Sequence, residues 1–156
     1  MGNMNWRRIV LGGLLAGVII DASEWLTNGM LLAGDWANVM TKLSLSPNFS
    51  VKQIVALDGW GFLTGIGIVW LYAAIRPRYG EGPKTAVLAG AAMWFMNYAL
   101  GGAFPVLTHM FPLGLATVTL LVGLVEAVVA GLAGAWVYRE GSQPEVRKFS
   151  AQAAAR

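Results

Sequence analysis

The chain has 156 residues, of which 56% are hydrophobic and only 12% charged, far below the roughly 25% charged residues of a soluble domain. With a mean hydropathy of +0.59 and apolar runs long enough to cross about 30 Å of hydrocarbon, this composition argues against a soluble protein and predicts an integral membrane one. The net charge of +3 does not point to nucleic acid, because the basic residues lie in short loops, where they set orientation in a bilayer.

Arg7 and Arg8 followed by the apolar run from Ile9 to Ile20 have the outline of a secretory signal. No small-x-small cleavage site follows and the apolar pattern resumes through Leu32, so the segment is read as a retained first span. Spans are expected at about 9–32, 51–75, 85–104 and 113–138, each near the ~20 residues that a membrane-crossing helix needs. The predicted fold is therefore all-α: a single transmembrane domain over 1–156, built as an integral membrane four-helix bundle.

Arg7, Arg8, Arg76, Arg78, Lys84, Arg139, Arg147, Lys148 and Arg156 fall on the side shared by the termini, while Lys42 and Lys52 fall opposite. The positive-inside rule then predicts both termini in the cytoplasm, with residues 139–156 a cytoplasmic tail in which Pro144 to Arg156 either forms a basic surface helix or is disordered. Trp6, Tyr79, Trp136 and Tyr138 on one side and Trp36 on the other fit interfacial belts. In the first outer loop Asp35 is expected to cap a short interfacial amphipathic helix carrying Trp36, Val39, Met40 and Leu43, acting either as a lid or as a linker. The stretch from Pro77 to Lys84 reads as a tight inner turn.

On the first span Gly13, Gly17, Asp21, Glu24 and Asn28 fall within an arc of about 80° at roughly 100° per residue. Comparable stripes follow: Asp58, Gly61, Gly65, Ile68 and Tyr72 on the second span; Ala86, Gly90, Asn97 and Gly101 on the third; Thr119, Gly123, Glu126, Ala130, Ala133 and Gly134 on the fourth. Turning these faces inward lets backbones approach and keeps polar groups from lipid. Asp21 and Glu126 come out near mid-membrane as facing partners, with no Lys or Arg in any span core to neutralise them. A carboxylate there costs roughly 2.5–3.5 kcal/mol. Two states are open: neutral carboxyls hydrogen-bonding across the bundle, or carboxylates exchanging a proton or a metal cation. Asp21, Glu24, Asn28, Asp58, Asn97 and Glu126 are the candidate ligand residues, and Trp25, Trp60, Trp94 and Tyr98 are candidate pocket aromatics.

The sequence has no cysteine and a single histidine, His109, which excludes disulfides, thiolate zinc sites and iron–sulfur clusters. Gly59-Trp60-Gly61 lacks the third glycine of a phosphate loop, and no Glu-x-x-His pair exists for a di-iron bundle. No cofactor and no catalytic residue is predicted, and an enzyme is the least favoured class.

Asn5-Trp6 leading into the first span, then Asn28-Gly29, Trp36 and Met40, together with the turn from Tyr72 to Gly80, resemble small four-span bacterial membrane proteins that carry no assigned activity. The resemblance implies a bacterial plasma membrane and transfers no catalytic residue. The leading expectation is a structural or accessory subunit packed through its Gly/Ala faces against a membrane partner or a second copy. The alternative is a proton- or cation-binding transport protein using the intramembrane carboxylates. The expected partners are the lipid bilayer and other membrane protein, not nucleic acid.

Overall fold

Local chemistry sets where three of the long helices begin. The Asn5 side chain accepts from the Arg8 backbone N–H at 3.2 Å, and Ser50 with Gln53 forms a reciprocal capping box, so each satisfies donors that a helix start leaves open. Pro83 occupies the first turn of its helix, where its missing N–H costs nothing. The computed structural model describes residues 4–138. The predicted tail, 139–156, lies outside the described residues.

Helix α1 (Trp6–Glu24) runs straight into a π-helical segment, Trp25–Leu31, and is followed by α2 (Ala33–Lys42) and α3 (Val51–Tyr79). Helix α4 (Pro83–Trp94) likewise continues through a π-helical segment, Phe95–Leu100, into α5 (Gly101–Leu107), and α6 (Leu113–Val137) closes the described chain. Joined, these make four helices long and apolar enough to cross a membrane: Trp6–Leu31, Val51–Tyr79, Pro83–Leu107 and Leu113–Val137. The described residues contain no strand.

Three boundaries differ from the sequence reading. Helix α3 passes through Pro77 to Tyr79, and the chain turns instead at Gly80 and Gly82, whose φ of 83° and 123° suit glycine alone. The third span extends past Pro105 to Leu107. Helix α2 starts at Ala33 with Leu32 before it, so Asp35 sits inside the first turn, where its charge meets the positive end of the helix, rather than capping it.

Helix α1 lies between α3 and α6, and α4 packs on α6 and α3. Because lipid removes the hydrophobic drive between spans, close backbone approach has to hold them. A Cβ on Gly65 would stand 2.5 Å from both Gly13 O and Gly17 N, and one on Gly12 would stand 2.6 Å from Gly134 O. Gly90 abuts Ala127 O, and a Cβ on Gly131 would lie 3.0 Å from Ala86 O. The glycine faces are thus spent inside the chain.

Contacts define two ends. Arg8 donates to Val137 O at 3.4 Å, and Tyr72 meets Tyr138 edge-on at 5.9 Å, bringing the start of α1, the end of α3 and the end of α6 together. At the other end Trp36 of α2 meets Phe111, between α5 and α6, edge-on at 5.1 Å. Toward the first end the interior is apolar and closed by Ile9, Ala16, Ile68, Val69, Ala86 and Ala130. Tyr138, expected in an interfacial belt, is part of this core; Trp6, Tyr79 and Trp136 are exposed.

Candidate functional site

Polar groups gather between the apolar plug and the α2 end. Glu24 closes α1, Asn28 sits in the π-helical segment after it, Tyr98 sits in the π-helical segment of the third span, and Glu126 lies mid-way along α6. Glu126 is only 4% exposed.

The position of Tyr98 follows from its helix. Residues Gly90, Trp94 and Tyr98 all meet α6: Gly90 abuts Ala127, Trp94 Nε1 donates to Leu120 O at 2.8 Å, and the Tyr98 ring packs against Gly123. In an α-helix each step of four residues drifts by about 40°. The wider turn at Phe95–Leu100 takes back part of that drift, so Tyr98 keeps facing α6. The straight-helix projection put Asn97 there; instead Asn97 reaches α3, its Nδ2 lying 3.4 Å from Thr64 Oγ1. Gly101, on the same projected stripe, is exposed.

Gly123 makes the seat for the phenol. A Cβ there would stand 2.7 Å from two carbons of the Tyr98 ring. Packed against that glycine, the ring carries its hydroxyl between two carboxyl groups, 2.7 Å from Glu24 Oε1 and 2.5 Å from Glu126 Oε1. Glu24 Oε2 accepts from Asn28 Nδ2, and Asn28 Oδ1 accepts from Trp36 Nε1 at 2.9 Å. A continuous polar chain therefore runs from α2 through Asn28, Glu24 and Tyr98 to Glu126.

A hydrogen count constrains this chain. Tyr98 has one hydroxyl hydrogen, which it donates to one carboxyl while accepting from the other. Both short contacts are hydrogen bonds at the same time only if at least one of the two glutamic acids carries a proton.

The remaining sequence candidates fall in different places. Asp21 is half-buried and packs its carboxyl onto Gly61 of α3, within range of the charges of Asp58 and Glu24. Glu126 is hydrogen-bonded by Tyr98 and Ser23, and the Asp21 projected opposite it acts on it through charge. Asp58 is exposed on α3. Trp25 and Trp60 are 66% and 63% exposed: Trp25 follows Glu24 and Trp60 stands two residues after Asp58, and each step along a helix turns the side chain by about 100°. Trp36, read from the sequence as a belt residue, is turned inward onto Asn28 and Phe111. Thr64 and the contact of Ser23 with Glu126 were not singled out; short hydroxyl residues in apolar spans carry no signal in hydropathy. His109 is exposed, in a left-handed turn at φ 56°.

Among the described residues no three His, Asp or Glu side chains are grouped to hold a metal ion. The chain matches no family model, no curated protein and no solved structure.

Proposed function

We propose that this chain is a multi-pass membrane protein that binds a proton between Glu24 and Glu126 and exchanges it at the α2 end of the bundle. The observation that carries this reading is the Tyr98 hydroxyl set between two carboxyl oxygens at 2.7 and 2.5 Å. Two arrangements of the same hydrogens satisfy it. In one, Glu126 holds the proton and donates to Tyr98, which donates to Glu24. In the other, the Glu126 proton has passed to the Tyr98 oxygen while the Tyr98 hydrogen has passed to Glu24 Oε1. Two O–H bonds break and two form, the charge of the cluster is unchanged, and one proton moves from mid-bundle toward α2.

The site suits a proton better than a metal cation. Calcium takes six to eight oxygen ligands and magnesium near-ideal octahedral geometry, whereas here a phenol meets one oxygen from each of two carboxyls. The apolar plug of Ile9, Ala16, Ile68 and Val69 favours exchange on one side over conduction through the bundle. With both termini cytoplasmic, as the basic residues argue, the α2 end faces outward from a plasma membrane, bacterial by the resemblance described above. Occupation of the glycine faces within the chain removes the main support for an accessory subunit that pairs through them.

The test is proton uptake by the purified protein in liposomes, titrated with an external indicator from about pH 9 to pH 5, a window wide enough for a perturbed carboxyl. Wild type should bind about one more proton per chain than the Glu24→Gln, Glu126→Gln double variant. Equal uptake by the two would overturn the proposal.

A further inference from the structure

Helix α2 reaches the site through one chain of directional bonds. Trp36 Nε1 donates to Asn28 Oδ1 at 2.9 Å, and Asn28 Nδ2 donates to Glu24 Oε2. An indole N–H only donates, and a carboxamide has one accepting and one donating end. Trp36 therefore fixes which end of Asn28 is turned to Glu24. An amide N–H requires an acceptor, so Glu24 Oε2 stays free of hydrogen, and a proton taken by Glu24 sits on Oε1, the oxygen that faces Tyr98.

Trp36 is itself held. Its ring stands edge-on to Phe111 from the connection between α5 and α6, and Val39, one turn further along α2, is 2% exposed. Asn28 belongs to the π-helical segment Trp25–Leu31, a widened turn of the kind that recurs at functional sites.

We propose that Trp36 and Asn28 are positioning residues that aim the protonatable oxygen of Glu24 at Tyr98, making the docking of α2 a control on proton sharing between Glu24 and Glu126. This rests on the proton-binding reading above. The titratable groups around Glu24 are Asp21 on its own helix, Tyr98 from the third span and Glu126 from α6, with Asp58 of α3 acting on Asp21. From α2 the contact is the neutral indole of Trp36.

The test is Trp36→Phe, which keeps an aromatic ring for Phe111 and removes the indole N–H together with the five-membered part of the ring. Asn28 is then free to present its oxygen to Glu24, and Oε2 becomes able to carry the proton. Infrared spectra of the protein in bilayers, with glutamate isotopically labelled, should show the protonated carboxyl band at a shifted frequency. That band should persist about one pH unit higher than in wild type, the scale expected when a hydrogen bond to a charged group is lost. Asn28→Leu should reproduce the shift, and the double variant should add nothing beyond either single change, because both act through one chain. A merely structural role for Trp36 would alter stability and leave frequency and pH midpoint in place. If Trp36→Phe and Asn28→Leu leave the band unmoved while Tyr98→Phe moves it, the positioning role is wrong and the proton site stands. If no variant, Tyr98→Phe included, moves a protonated carboxyl band, the proton site itself is wrong. Should Trp36→Phe fail to fold, Asn28→Leu reads the same chain from the Glu24 side.

Discussion

Replacing Gly123 with alanine should break the shared proton site without altering any of its polar groups. A Cβ at Gly123 would stand 2.7 Å from Cδ1 and Cε1 of Tyr98, where ordinary contact begins at about 3.4 Å. The ring must therefore recede by about 0.7 Å, the difference of those two distances. Carried to the hydroxyl, a shift of that size stretches the 2.5 Å contact with Glu126 beyond the 2.5–3.0 Å range in which an O–H···O bond is made. Hydrogen bonds to charged groups contribute roughly 1.5–3 kcal/mol, so the preference for keeping one proton in the pair should weaken by about one to two orders of magnitude. The assay is carboxyl infrared spectroscopy in bilayers, with Gly123→Ala compared against Gly114→Ala, a glycine on the same helix with open space around it. A Gly123→Ala spectrum indistinguishable from wild type would refute the claim that this glycine seats the phenol.

Gly65→Ala should cost roughly 1–3 kcal/mol of stability in reversible unfolding from mixed micelles, because the new methyl meets Gly13 and Gly17 backbone atoms, which cannot swing aside. Gly61→Ala should push the Asp21 carboxyl off α3 and keep one protonated carboxyl in the Glu24–Glu126 pair, with its pH midpoint moved because the Asp21 charge acts on that pair; loss of the band would bring Asp21 into the proton-sharing set. Thr85→Val should lower stability by about 1 kcal/mol in the same unfolding assay, since the buried Thr85 hydroxyl donates to Gly80 O at 2.8 Å and valine leaves that carbonyl without it.

Hydropathy and small-residue spacing made the four helices and most of their facing surfaces legible. Gly13 and Gly17 do meet Gly65, and Gly123, Glu126, Ala130 and Gly134 are buried along α6, because straight helical periodicity holds through the packed stretches of a regular helix, although Asp58 near the start of α3 is exposed. It failed where the helix widens. Nothing in the composition of Phe95–Leu100 announces a π-helical turn, so Asn97 was projected onto the face that Tyr98 takes, and Tyr98 was seen only as an aromatic near polar residues. Trp36 misled for a related reason: a tryptophan beside a span resembles an interfacial anchor, and only the fold of α2 back over the bundle gives its N–H a partner. Glu24, Asn28 and Glu126 were identifiable because a carboxyl or amide inside an apolar span is costly and stands out. Their connection depends on one phenol whose orientation no pattern of hydrophobicity encodes.

The most direct test of the central claim is a proton count on the pair Glu24 and Glu126 at neutral pH. Isotope-edited infrared spectra of wild type, Glu24→Gln, Glu126→Gln and Tyr98→Phe in bilayers would give the number of protonated carboxyls that these two positions contribute. The geometry predicts one proton shared by two carboxyls in wild type, with its band displaced when the bridging hydroxyl is removed in Tyr98→Phe. A count of zero or two in wild type, or a band unaffected by Tyr98→Phe, would contradict it.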